Sequence, residues 1–136
     1  MQKKMTLKRL NNIFNLKREV EYYKRKLLEI RKSLGDLSAV TLSDEPSGGS
    51  LLSIQERAIE RLEKFESLYA ESLKKYENEL LETTTFINNI DDSRLRRIFT
   101  LRFIDGKSWQ RVAFELDDGR NTSSSVRMAC IRFLEN

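Results

Sequence analysis

Two runs of apolar residues constrain the fold of this chain more than any other feature of its sequence. In both runs apolar side chains recur every three or four positions, as in a seven-residue helical repeat, and charged side chains fill most positions between them. A helix with one apolar seam needs a second surface against which to bury it. The first seam is Ile13, Leu16, Val20, Tyr23, Leu27, Ile30, Leu34 and Leu37, and the second is Leu62, Phe65, Tyr69, Leu73, Tyr76, Leu80, Ile87 and Ile90.

The segment between the seams contains the single proline of the chain and its only pair of adjacent glycines. Pro46 and Gly48-Gly49 break helices, so we predict a flexible loop over 38–53 that reverses the chain direction. Ser53, with Glu56 three residues later, is typical of a capping box at the start of the second helix. The predicted first domain, residues 1–90, is therefore a long antiparallel, coiled-coil-like helical hairpin with helices over 5–37 and 53–90.

The charges of the chain are unevenly distributed. Residues 1–34 carry 11 Lys or Arg and 3 Asp or Glu, a net +8, whereas residues 35–90 carry 5 and 11, a net −6. Residues 91–136 carry 9 and 7, a net +2. Opposite charges favour pairing of the two long helices, either within one chain or between chains of a dimer. The alternative is a basic nucleic-acid-binding arm beside an unrelated acidic helix.

The composition excludes several classes of protein. The 136 residues include no His and one Cys, which removes His-based catalysis, the usual zinc sites and a disulfide framework. The longest uncharged stretch, Pro46 to Gln55, is far shorter than the roughly 20 residues of a membrane helix, and the N-terminus lacks an apolar signal core. The carboxylates show no spacing typical of a metal site or an acid–base pair. We expect a cytoplasmic protein that is not an enzyme, uses no cofactor and has no membrane partner.

Residues 91–136 predict three short helices separated by turns at 104–107 and 117–121. The predicted caps are Asp91-Asp92-Ser93 for the first helix, Ser108 for the second, which covers Trp109–Leu116, and Thr122 or Ser123 for the third. A small residue, Ala113, lies where two helices cross, which is typical of a helix-turn-helix module. The predicted inward faces are Leu95, Ile98, Phe99 and Phe103, then Val112, Ala113 and Leu116, and finally Val126, Ala129, Cys130 and Phe133.

A sequence motif at 86–113 makes the comparison more specific. The motif includes Leu-Arg-Phe at 101–103, Ile-Asp-Gly-Lys-Ser-Trp at 104–109 and Val-Ala at 112–113, and it resembles the sigma-70 region 4-like helix-turn-helix of phage regulators. The whole chain is similar to a small phage and prophage family of Gram-positive hosts related to ArpU-type late regulators. Those proteins also carry long N-terminal helices joined by a Ser/Gly/Pro loop.

The resemblance implies an all-α protein with a three-helix, sigma-like module over 91–136, acting in transcription regulation in the cytoplasm of a bacterial host cell. It implies double-stranded DNA as the partner, with RNA polymerase as a further one, and a homo-oligomer. Two features depart from the sigma-like pattern. The turn at 117–121 is longer than usual, and the third helix is sparsely basic.

The outward face of the third helix provides the candidate DNA-binding residues. In a helix-turn-helix the N-terminal residues of the third helix read base edges, and Arg127 alone among them can make a bidentate contact to guanine. Trp109 is predicted to anchor the core beneath the turn, and Cys130 to be a small buried apolar side chain. The candidate base-reading residues are Ser123, Ser124, Arg127 and Met128, and the candidate contacts to the DNA backbone are Lys107, Arg111, Arg120 and Arg132.

Three functions fit these patterns. The first is a phage-type transcription regulator that binds DNA through the third helix, with the hairpin mediating oligomerisation or contact with RNA polymerase. The second is a DNA-recognition subunit for packaging, similar to small terminase subunits. The third is a coiled-coil adaptor whose helix-turn-helix serves only as a scaffold, which the low net charge of residues 91–136 favours.

Overall fold

A computed structural model describes residues 4–43, 49–116 and 121–136, with side chains described for all of these except 37–43 and 49–51. Every regular element in these residues is helical, which confirms the predicted all-α class. No helix in the described ranges combines the length and apolar character that crossing a membrane requires. The elements are α1 (Leu7–Ser43), α2 (Gly49–Asn88), α3 (Ser93–Phe99), a π-helical segment (Thr100–Ile104), α4 (Trp109–Leu116) and α5 (Ser123–Glu135).

The two long helices extend further towards each other in sequence than predicted. α1 continues to Ser43 and α2 begins at Gly49, so the predicted flexible loop over 38–53 is wrong at both ends. Ser53 lies inside α2, and its predicted role as the helix cap is therefore wrong as well. The physical reason is local. Residues 38–43 contain neither Gly nor Pro, so no residue there interrupts the hydrogen bonds of the helix. The predicted breakers Pro46 and Gly48 lie outside the described residues.

The contacts divide the chain into two compact units whose boundaries lie within the long helices. The terminal unit comprises Met1–Leu16 and Tyr76–Asn136, and the middle unit comprises Lys17–Lys75. The sequence pattern instead predicts a domain boundary between residues 90 and 91. The terminal unit therefore joins the outer ends of both long helices to the whole predicted helix-turn-helix module.

The middle unit is formed by α1 and α2, which contact each other through the predicted seams. Leu27 and Ile30 of α1 are buried, and the ring of Tyr23 lies 6.2 Å from that of Phe65 between centroids. At the edge of the seam Arg31 forms an ion pair with Glu66 at 3.7 Å. Of the predicted seams, Leu27 and Ile30 are thus buried and Tyr23 contacts Phe65 within one chain, while Leu37 is among the residues whose side chains are not described.

The terminal unit has an aromatic core. The ring of Phe99 is fully buried and lies 5.7–5.8 Å from those of Phe86, Phe103 and Phe133. The predicted inward faces of the three short helices all contribute to this core or pack against it. The long helices and the residues that flank them contribute as well, since the core also contains Leu10 and Ile87 of α1 and α2, Met5 before α1 and Ile90 after α2. Ile87 and Ile90 are the last two residues of the second predicted seam, whereas Met5 and Leu10 precede the first.

Polar side chains fix the starts of the short helices largely as predicted. The Asp92 carboxylate accepts hydrogen bonds from the backbone N–H groups of Arg94 and Leu95, at 2.8 and 3.1 Å. Of the two candidates for α5, Thr122 is the cap, and Ser125 completes a capping box with it. Between α3 and α4 the chain turns at Gly106, whose φ of 71° lies in the left-handed region that glycine tolerates best.

Cys130 lies in the core of the terminal unit, as predicted for a small apolar side chain. Its exposed fraction is zero, and burial raises the pKa of its thiol to about 12, although nearby Arg102 partly opposes the shift. The thiol is therefore neutral at physiological pH. Because the pKa is higher in the folded state, this residue favours folding less as pH rises above the ordinary thiol value near 9.

Candidate nucleic-acid interface

The first turns of α4 and α5 line one shallow concavity of about 360 Å³. All four residues predicted to read base edges lie in it. Three further residues, which the sequence did not indicate as DNA contacts, complete the lining. The lining residues are Ser108, Trp109 and Gln110 at the start of α4, and Ser123, Ser124, Arg127 and Met128 in α5.

At this surface two helix starts present backbone amides that are not bonded within their own helices, because each capping residue bonds only to the third amide. Ser108 Oγ accepts a hydrogen bond from Arg111 N–H at 3.1 Å, and Thr122 Oγ1 accepts one from Ser125 N–H at 3.0 Å. Each cap satisfies the third amide of its helix, while the first two amides of an α-helix have no acceptor within the helix. In α4 and α5 these amides belong to residues that line the concavity. They carry the partial positive charge of the helix N-terminus.

Arg127 is the one charged residue among those that line the concavity. It lies one turn into α5, next to Val126, which is fully buried and fixes the inward face of the helix. Arg127 itself is exposed and forms no ion pair within the described parts of the chain. Met128 beside it is 38% exposed. Because no carboxylate is found among the described residues that line the surface, none of these residues repels an anionic ligand.

Lys107 and Arg111, two of the four residues predicted to contact the DNA backbone, form ion pairs within the protein. Both bind the same carboxylate oxygen of Glu115, Lys107 through Nζ at 2.6 Å and Arg111 through Nε at 3.0 Å. The hydrogen bond from Lys107, together with that from Arg111, lowers the pKa of Glu115. The three side chains therefore share a net charge of +1 at neutral pH. Lys107 and Arg111 thus lie close together because both bind Glu115 of the same chain. Neither residue lines the concavity.

The other two residues predicted to contact the DNA backbone are Arg120 and Arg132. Arg132 is exposed in the last turn of α5 and does not line the concavity. Arg120 lies outside the described residues.

Arg102 contacts Trp109, one of the residues that line the concavity, and sequence reasoning missed it. Its guanidinium carbon lies 4.8 Å from the centre of the Trp109 ring and 5.0 Å from that of Phe14, and Nη1 donates a hydrogen bond to the Lys107 carbonyl at 3.0 Å. Burial lowers the pKa of this arginine. Trp109 also packs edge-on against Phe103, which agrees with its predicted role as a core anchor. The available signal was the position of Arg102 between two apolar residues, Leu101 and Phe103.

Comparisons with known proteins give no further guide to this surface. The sequence matches no protein-family model, and searches among curated proteins and among solved structures give no match. Within the described residues, no three His, Cys, Asp or Glu side chains are grouped so that they could hold a metal ion.

Proposed function

We propose that this protein is a DNA-binding transcription regulator of the phage or prophage type, which reads duplex DNA with the first turns of α5 and performs no catalysis. One observation carries the proposal. The first turns of α4 and α5 share a concave surface whose described lining has an exposed arginine and no carboxylate. In a helix-turn-helix, α4 crosses the DNA backbone while α5 enters the major groove. The resemblance of residues 86–113 to sigma-like modules supports the same assignment.

The chemistry of the lining suits both kinds of contact that sequence-specific binding requires. Arg127 can donate two hydrogen bonds to the O6 and N7 atoms of guanine, while the hydroxyls of Ser123 and Ser124 can bond to several base edges. The unbonded amides at the two helix starts suit phosphate oxygens, which position the protein without reading sequence. Met128 offers an apolar contact of the kind that thymine methyl groups accept.

We propose that the long helices let the protein bind DNA as an oligomer, because a single weakly basic module has few cations for phosphate contacts. With Lys107 and Arg111 bound to Glu115, one module has few free cations for phosphates, so we propose binding as a homo-oligomer to a two-part site. The antiparallel hairpin that α1 and α2 are proposed to form is the proposed element for oligomerisation or for contact with RNA polymerase. The opposite net charges of residues 1–34 and 76–90 support pairing near the outer ends of the helices, where Arg9 forms an ion pair with Glu79.

Replacement of Arg127 tests this proposal. Arg127→Ala should lower the preference for the best-bound sequence over random DNA by about 5- to 100-fold, since a bidentate arginine–guanine contact contributes about 1–3 kcal/mol of discrimination. The matched control is Arg132→Ala, which removes the same charge from the same helix outside the concavity. The control should weaken binding to both DNAs about equally. Competition binding assays measure both ratios, and an unchanged preference in Arg127→Ala would contradict the assignment.

An adaptor without DNA binding is the second candidate, and one observation favours it. Phe114 of α4 is 71% exposed, and the guanidinium carbon of Arg111 lies 5.2 Å from the centre of its ring. An exposed aromatic residue beside an arginine is typical of protein interfaces. Phe114→Ala should leave DNA preference unchanged if the regulator proposal holds.

A further inference from the structure

Three basic dipeptides recur at intervals of seven residues along α1 in the middle unit. They are Lys17-Arg18, Lys24-Arg25 and Arg31-Lys32. A seven-residue interval brings side chains back to nearly the same face of a helix, because seven residues make almost two turns. The dipeptides therefore form a line about 21 Å long from Arg18 to Lys32, at about 1.5 Å per residue. We call this line the basic strip.

The basic strip lies on the exposed face of α1, away from the seam that packs on α2. Arg18, Arg25 and Lys32 are exposed, whereas Leu27 and Ile30 of the same helix are buried. Within the described residues, the one ion pair of the strip is that of Arg31 with Glu66, at 3.7 Å. None of the other five cations of the strip forms an ion pair with a described residue.

Residues 17–36 of α1 contain seven Lys or Arg and four Asp or Glu, so the acidic residues offset part of the charge of the strip. Glu21 lines the same surface groove as Arg18, Lys24 and Arg25. Glu29 is bound by Lys26, which lies outside the strip, at 3.3 Å. The part of α2 in the middle unit adds no net charge, since residues 49–75 contain five Lys or Arg and five Asp or Glu. The strip is thus a regular row of six exposed cations, five of which form no ion pair with a described residue, within a unit whose sequence carries 12 Lys or Arg and 11 Asp or Glu.

We propose that the basic strip binds the phosphate backbone of duplex DNA, in addition to the contacts of α5; this inference rests on the proposed function. A row of regularly spaced cations about 21 Å long matches a regular line of anions, and each strand of duplex DNA carries one phosphate per about 3.4 Å of its axis. A membrane surface is a poorer match. An interfacial helix inserts its apolar face, and here that face is packed against α2. An acidic protein partner is the remaining class, and the experiment separates it.

The test compares two triple variants of the full chain that lose the same charge. The strip variant is Arg18→Gln, Arg25→Gln and Lys32→Gln. The control is Arg57→Gln, Lys64→Gln and Lys74→Gln, three exposed cations on α2. Fluorescence anisotropy with random-sequence duplex DNA at several salt concentrations gives the affinity and its salt dependence. Circular dichroism checks that both variants fold like the natural protein.

The strip variant should bind random DNA roughly tenfold or more weakly than the natural protein at low salt, and its log–log salt slope should be smaller by about 2–3. The control should retain the slope of the natural protein. Sequence preference should survive in the strip variant, since α5 is unchanged. Equal losses in both triple variants would overturn the inference, because net charge alone would then explain the binding.

Other outcomes separate this inference from the proposed function. If the natural protein binds DNA with sequence preference and the strip variant keeps the full salt slope, the strip inference fails while the regulator proposal stands. If the natural protein binds no DNA, both fail. Stronger binding to poly-glutamate than to DNA, lost in the strip variant alone, would assign the strip to an acidic protein and overturn the DNA inference.

Discussion

A fragment of residues 91–136 is expected not to fold cooperatively, although it contains all three helices of the predicted helix-turn-helix. Four buried apolar residues of the terminal unit lie at the outer ends of α1 and α2 or within two residues of them, namely Met5, Leu10, Ile87 and Ile90. Full burial of one such side chain contributes about 1.5–3 kcal/mol, so the fragment loses on the order of 6–12 kcal/mol. That loss is comparable with the entire stability of a small domain. Thermal unfolding followed by circular dichroism measures the effect.

A longer fragment provides the matched control. Residues 76–136 retain Ile87 and Ile90, and addition of a peptide of residues 1–16 supplies Met5 and Leu10. We expect helicity to rise when the peptide is added to fragment 76–136, and a Leu10→Asp version of the peptide should have no effect. A cooperative transition of fragment 91–136 at the melting temperature of the full chain would contradict the dependence of the short helices on α1 and α2.

Replacement of both Leu27 and Ile30 by Asp should unfold the middle unit. These side chains are 4% and 5% exposed, so the double variant loses two core residues and places two carboxylates in the seam. Large-to-small replacement alone costs about 2–5 kcal/mol at each site, and a buried unpaired charge adds to that cost. The expected result is a large loss of helical signal and of the melting transition of this unit.

The control for this variant changes neighbouring exposed residues in the same way. Leu28 is 57% exposed and Lys24 lies on the same face, so Leu28→Asp with Lys24→Asp should shift stability by about 1 kcal/mol or less. Surface ion pairs such as Arg31–Glu66 contribute only tenths of a kcal/mol, and for that reason the apolar seam must dominate. Natural helicity and melting temperature in the Leu27/Ile30 variant would show that the seam does not hold the unit together.

Local sequence patterns predict the helices and helix starts that are determined by residues close in sequence. The apolar spacing of 3.6 residues indicated both long helices, and the polar residues Asp92, Ser108 and Thr122 indicated the starts of the short ones. These signals lie within a few residues of the structure they determine. The inward faces of the short helices were predictable for the same reason.

Interactions between distant segments were not predictable in this way. Burial of Met5 and Leu10 depends on the fold of residues more than 70 positions away, and neither extends the recognised seam. The pairing of Lys107 and Arg111 with Glu115 was also missed, although both lie within eight residues of it, because many solvated arrangements share that spacing. The extent of α1 and α2 was underestimated because Ser and Thr in residues 38–43 and 50–53 resemble loop composition.

The candidate site was predictable in its residue types but not in its full lining. The face opposite Val126 and Cys130 indicated Arg127 and Met128, and the structure brings both into the concavity. Ser108 and Gln110 were not indicated as contacts, since their role depends on how α4 packs against α5. Arg102 was missed because its two aromatic neighbours, Phe14 and Trp109, are far apart in sequence.

Selection of bound duplexes from a library of phage-genome fragments tests the central claim most directly. The full-length protein is incubated with the library at about 50 mM and 200 mM salt, a range over which non-specific phosphate binding weakens steeply. The proposal predicts that a small set of fragments sharing a two-part motif is enriched at both salt concentrations, and that Arg127→Ala abolishes the enrichment. Equal recovery of all fragments by the natural protein at both salt concentrations would contradict the claim that the α4 and α5 concavity reads DNA sequence.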